Sequence, residues 1–127
     1  MIRWFEKYNK LSWGITLIGA IAIFYISSLQ IKGGGGSSGI LSIVYHFSAF
    51  FCLAFFLFIS SVQGKKNPQV FFIAILTVLI YGILDELHQF FVPGRVCTFF
   101  DIGIDSLGVL FALLIYFIRL NYNGVSI

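Results

Sequence analysis

Apolar positions in this chain run in four long blocks, each closed by a short cluster of polar, glycine or proline residues. A hydrocarbon core about 30 Å thick takes roughly 20 apolar residues of helix, and the blocks at about 11–31, 40–62, 70–90 and 100–118 each meet that length. They predict four membrane-spanning helices. Residues 33–39 (GGGGSSG) form a flexible polar tether, residues 64–68 (GKKNP) a tight basic turn, and Pro93-Gly94 a third turn. In that last turn proline presets φ and glycine accepts a positive φ at no steric cost. The glycine run follows no strand, so it is a linker rather than a phosphate cradle.

Composition agrees with lipid as the solvent. Of 127 residues 59% are hydrophobic and 10% charged, including 16 phenylalanines; a water-soluble domain carries about 25% charged residues. The expected fold class is therefore all-α, a single integral-membrane four-helix bundle over 1–127. The first block, preceded by Arg3, Lys7 and Lys10, is too long for a secretory signal, so it is expected to be retained. The net charge of +3 is spread over isolated cations and offers no nucleic-acid patch. Cys52 and Cys97 fall at different depths and are expected to be free thiols.

Lysine and arginine bias sets the orientation. With the N-terminus cytoplasmic, that side holds Arg3, Lys7, Lys10, Lys65, Lys66 and Arg119, against Lys32 and Arg95 on the other. Both termini are thus expected inside, in a multi-pass protein of the cell membrane. Trp4, Phe5, Tyr8, Trp13, Tyr116 and Tyr122 would be inner interfacial anchors.

The acidic residues are the main chemical signal: of five, four lie at Asp85, Glu86, Asp101 and Asp105. An ionised carboxylate in lipid is costly unless paired, so these groups should face the bundle interior or a wet cavity. Helical spacing puts Tyr81, Asp85 and His88 on one stripe of the third span, with Gln89 beside it. Asp101, Asp105 and Gly108 repeat the pattern on the fourth span and Ala112 extends it, so small residues would admit a close neighbour while carboxylates enter the seam. The two stripes are expected to face each other across the Pro93-Gly94 turn. His46 and Ser27-Ser28 reach the same depth from the other spans, and Arg95 stands at the rim.

Residues 85–95 (DELHQFFVPGR), followed by Asp101 and Gly108, resemble the signature of the VanZ-like family, D-E-x-H-Q-x-F-x-P-x-R and then an aspartate opening the last helix. A weaker likeness extends to Ser27-Ser28 and His46-Phe47. The chain departs from the pattern at Ser42-Ile43, where the family often has Asp-Lys, and at Asp105, where it often has asparagine. The second departure makes this site more acidic than usual. The resemblance implies glycopeptide resistance of the teicoplanin type as a family possibility.

The chemistry these residues could carry stays open among several readings. Asp85, Glu86, His88 and Asp101 are the candidate catalytic groups: acid and base, proton relay, ligands of a divalent metal, or partners of Arg95 in a structural network. Tyr81, Gln89, Arg95, Asp105 and His46 are the candidate binding groups, with Tyr81 and Gln89 holding carboxylates in place and His46 a hydrogen-bonded core histidine rather than a ligand. Arg95 suits bidentate phosphate binding, or else pairs with Asp101 or snorkels to water. Three functions follow. The first is a cell-envelope protein that binds an envelope lipid, a lipid-linked precursor, an isoprenoid phosphate or a glycopeptide-like ligand at the outer leaflet. The second is a membrane-embedded enzyme, with or without a divalent metal, acting on a lipid phosphate or peptide-bearing lipid. The third is a structural or assembly factor. The orientation has a direct test: green fluorescent protein fused after Ile127 is expected to fluoresce, and alkaline phosphatase inserted at Gly94 to be active. The reverse pattern would overturn the charge-bias argument.

Overall fold

Each polar break of the sequence ends a helix for an identifiable reason. The computed structural model describes residues 1–30 and 39–123. They form α1 (Ile2–Lys7), α2 (Asn9–Ser27), α3 (Ile40–Val62), α4 (Pro68–Phe90) and α5 (Phe99–Asn123). The tether at 33–39 and Lys32 lie outside the described residues, Gly39 excepted. Between α3 and α4 the chain turns through two left-handed residues, Gln63 (φ 51°) and Gly64 (φ 74°). Asn67 then caps α4, its side-chain oxygen accepting the N–H groups of Gln69 (3.0 Å) and Val70 (3.3 Å). Pro68 fills the first helical position, where no N–H is needed. Gly94, at φ 82°, makes the turn expected beyond α4.

Four of the helices, α2 to α5, are long and apolar enough to cross a bilayer. The second expected span coincides with α3. Asn67 starts the third two residues earlier than its apolar block, and α5 runs past 118 because Arg119 stays helical. The short α1 was not signalled by the pattern; Tyr8 (φ −97°, ψ 59°) breaks it from α2. The surface is made of aliphatic and aromatic side chains, such as Leu17 and Ile18 on α2, Phe72 and Ile73 on α4, and Leu110 and Phe117 on α5, all exposed. Among the described residues the interior holds ten buried polar residues beside fourteen buried apolar ones. That inversion is what lipid permits, because hydrocarbon does not reward hiding an aliphatic side chain and penalises an exposed polar one. The protein is a multi-pass membrane protein.

The α3 helix is the hub, packed against α5, α2, α4 and α1. At Gly108 its backbone and that of α5 come close together. A Cβ there would lie 2.5 Å from the carbonyl oxygen of Phe47 and 3.0 Å from the backbone nitrogen of Phe51. Ala112, one turn on, is fully buried. The small-residue stripe therefore opens the fourth span to the second, not to the third as the facing-stripe expectation had it. Toward α4, Gly82 makes the room: its Cβ would stand 3.1 Å from the Phe50 ring and 3.6 Å from Asp105 Oδ2.

At the opposite membrane end the fifth acidic residue finds its partner. Arg119 grips both carboxylate oxygens of Glu6, Nη1 on Oε1 and Nη2 on Oε2 at 2.6 Å. Tyr116 donates its hydroxyl to Glu6 Oε1 (2.7 Å) and accepts from the N–H of Gly64 (3.1 Å). One carboxylate thus ties α1 to α5, and through Tyr116 to the α3–α4 turn. Helix packing through Gly108 can be measured: Gly108→Ala is expected to cost about 1–3 kcal/mol, the range for overpacking, read as a lowered midpoint of thermal unfolding in detergent. Gly103→Ala, where an added methyl meets nothing within 4 Å, is expected to leave the midpoint unchanged.

Candidate functional site

The α4–α5 connection is short, so Glu86 near the end of α4 and Asp101 in the first turn of α5 are held at one level. Thr98 links them. It is the residue before α5, and its hydroxyl oxygen accepts the N–H of Asp101 (3.1 Å) while its proton goes to Asp101 Oδ2 (2.7 Å). Thr98 is thus the N-cap of α5, with its own N–H left for a residue outside the helix. The backbone N–H of Thr98 donates to Glu86 Oε2 at 3.2 Å. The positive end of the α5 dipole is therefore turned toward two carboxylates, the favourable sign for anions.

From α3, His46 completes the cluster. Its Nδ1 lies 2.9 Å from Asp105 Oδ1 and 3.9 Å from Glu86 Oε1. Gly108 makes this possible, since the backbone contact at Phe47 brings the neighbouring His46 within reach of Asp105 one turn earlier on α5. His46, Glu86, Asp101 and Asp105 are all buried, Glu86 completely. Two of their oxygens, Glu86 Oε1 and Asp105 Oδ2, are buried without a hydrogen-bond partner.

The polar stripe expected on α4 turns to α2, where Tyr81, His88 and Gln89 find partners and Gln89 holds Asp85, while Glu86 lies on another face. Asp85 sits apart from Glu86: its Oδ2 accepts from Gln89 Nε2 (3.0 Å), which also reaches Ser27 Oγ (3.4 Å), and its Oδ1 is buried and unpartnered. Gln89 does hold a carboxylate, as expected. Tyr81 does not: its hydroxyl donates to the carbonyl of Ala20 at 2.6 Å and so fastens α4 to α2. His88 also turns to α2, stacking on Phe24 with ring centroids 4.5 Å apart and meeting Ser28 Oγ at 2.9 Å. The Ser28 proton is given to the Phe24 carbonyl (2.8 Å), so Ser28 accepts and His88 carries its proton on Nε2. The histidine nominated as a ligand beside Asp101 thus stands elsewhere, and His46, expected as a core histidine, takes the central place. The physical reason is angular: His88 follows Glu86 by two residues, about 200° around the helix, so it faces α2 while Glu86 faces α3 and the start of α5.

Arg95 also differs from its expected role as counter-charge. It donates Nη2–H to the carbonyl of Ile26 at 2.7 Å, at the end of α2, and its buried Nε has no partner. Cys97, in the connection outside the spans, has its thiol pushed up by burial and then by the Glu86 carboxylate beside it, which keeps it protonated at neutral pH. Both cysteines are free, as expected.

Thr98 and Tyr45 were missed from the sequence. Thr98 had a readable signal, the T-x-x-D pattern ahead of an apolar run. Tyr45, whose buried hydroxyl is unpartnered, had none, because an aromatic residue in an apolar helix looks like any other. Chemically, an imidazole among three carboxylates with two free oxygens can exchange protons or take a cation. Thr98→Ala is expected to lower stability by about 1 kcal/mol through loss of the cap, and Thr98→Ser to restore it, in thermal unfolding of the detergent-solubilised protein.

No curated protein and no solved structure matches this chain. A family model does match, described as VanZ/LLP1, over residues 2–120. That span takes in all four membrane helices together with Glu86, the Pro93-Gly94 turn and Asp101, the residues on which the signature depends, and the chain belongs to the VanZ/LLP1 family.

Proposed function

We propose that this protein resides in the cell membrane with both termini cytoplasmic and binds a lipid-linked, phosphate-bearing envelope precursor at its outer end. Arg95 is the observation that carries the reading. Its guanidinium touches the carbonyl of Ile26 and leaves a buried Nε–H without an acceptor. Ile26 and Tyr45 in turn line one end of an apolar cavity of about 270 Å³ between α2 and α3, whose wall also includes Ile15, Gly19, Ala49 and Phe56.

The shape suits a hydrocarbon tail with an anionic head. From Ile15 to Ile26 the groove follows the helix for about 16 Å, roughly half the hydrocarbon thickness. An isoprenoid chain lying there would bring its phosphate to the Arg95 end, where a planar guanidinium can donate two parallel hydrogen bonds. The hydroxyl of Tyr45 is a second free donor at the same end. Charge bias supports the outer placement, because Arg3, Lys7, Lys10, Lys65, Lys66 and Arg119 all belong to the opposite end. Glycopeptide resistance of the teicoplanin type is the phenotype that capture of a wall precursor would confer.

Thermal unfolding of the full-length protein in detergent tests this reading, with farnesyl phosphate compared against farnesol. The phosphate is expected to raise the midpoint and the alcohol to leave it nearly unchanged. Arg95→Gln is expected to weaken the phosphate about tenfold to a hundredfold, as for a lost charge-assisted hydrogen bond. Gly19→Phe, which fills the groove, is expected to abolish the shift. Equal responses to phosphate and alcohol, or an unaltered Arg95→Gln, would remove the proposal.

A further inference from the structure

Glu86 is fully buried, yet only one of its oxygens is used. Oε2 accepts the Thr98 N–H, while Oε1 has no partner and points toward His46 Nδ1 at 3.9 Å. Asp105 is in the same position, with Oδ1 on His46 and Oδ2 unpartnered. One ligand atom each from His46, Glu86 and Asp101 lies within 4.8 Å of the other two. These three residues come from α3, α4 and α5, so the bundle itself assembles them.

Charge makes the arrangement incomplete as it stands. Among the described residues, both ion pairs that reach the cluster are made by His46, which supplies at most one positive charge against three carboxylates. Arg95, the nearest cation by sequence, is engaged at Ile26. Buried carboxylates this close cannot all remain ionised without further positive charge, and an uncompensated one costs several kcal/mol. Protons or a cation must make up the difference.

From this we infer that His46, Glu86 and Asp101 form an intramembrane site for a divalent transition-metal ion of the zinc or manganese class, with Asp105 as a fourth ligand. Two observations favour an ion over protons alone. The free oxygen of Glu86 is aimed inward because the Thr98 N–H fixes the other one, and the Thr98 hydroxyl holds Asp101 in the same way. These are the outer hydrogen bonds that orient metal-binding carboxylates. The spacing is within reach: tetrahedral donors at about 2.0–2.2 Å from zinc lie roughly 3.3–3.6 Å apart, so side-chain rotations that move donors within 4.8 Å by about an ångström close the site. An imidazole among carboxylates selects this class over calcium or magnesium, which prefer all-oxygen sites. The ion would meet different residues from those proposed for the lipid phosphate, so the inference stands whether or not Arg95 binds one.

The test uses full-length protein in detergent without added lipid, stripped with EDTA and then equilibrated with ZnCl2 or MnCl2. Elemental analysis is expected to find about one ion per chain, with a raised unfolding midpoint that EDTA reverses. Glu86→Gln and Asp101→Asn are each expected to weaken the ion about 100-fold or more. His88→Ala is expected to keep it. Circular dichroism checks each variant; should Glu86→Gln fail to fold, the near-isosteric Asp101→Asn decides. No retained ion and no midpoint shift with millimolar metal, wild-type affinity in the folded variants, or loss of the ion in His88→Ala would each overturn the site.

Discussion

Carboxylates inside a lipid-facing bundle must find their partners on other helices, and that requirement organises this molecule. The outer surface offers them nothing but hydrocarbon. Each buried acidic group is accordingly turned inward: Glu86 to the start of α5, Asp101 to Thr98, Asp105 to α3, and Asp85 to Gln89, which itself reaches Ser27. Because an unpaired charge in a low-dielectric interior costs several kcal/mol, these contacts restrict how the spans can rotate about their axes. Aliphatic contacts alone would restrict them less, since a lipid tail can replace a leucine neighbour.

The two membrane ends meet this requirement in different ways. At the terminal end Glu6 is neutralised by a two-pronged arginine and a tyrosine hydroxyl, and no oxygen is left over. This is the chemistry of a lock. At the other end the arginine is diverted to a backbone carbonyl, and carboxylate oxygens are left buried and free. Such a cluster would lower the stability of the chain unless something completes it, and sites of that kind belong to function more often than to scaffolding.

Close backbone contact is what brings the cluster together. At Gly108 the α5 backbone lies against that of α3, and a methyl group at that position would separate them. His46 and Asp105 meet through this approach, while at Gly82 it is the Phe50 ring that an added methyl would press, at 3.1 Å. On the α2 side, Tyr81 and His88 fasten α4 by a carbonyl and a serine. They bound the groove region without joining the acidic cluster.

Much of this was determined by the chain's own pattern. Four apolar blocks of membrane length, the turns at Gly64 and at Pro93-Gly94, and the gathering of four of the five acidic residues at one end are legible from hydrophobicity, turn chemistry and position along the chain, which are local properties. The family signature at 85–95 is equally a local property. Which helix each polar residue faces was decided by packing. Helical periodicity places Asp85 and His88 on a common stripe, but a stripe is broad, and the partner within it depends on where the neighbouring helices stand. Gly108 could admit either neighbour until α3 took the place. The exchange of His88 for His46, the diversion of Arg95 to Ile26 and the pairing of Glu6 with Arg119 all join residues far apart in the chain, and such pairings exist only once the helices have packed.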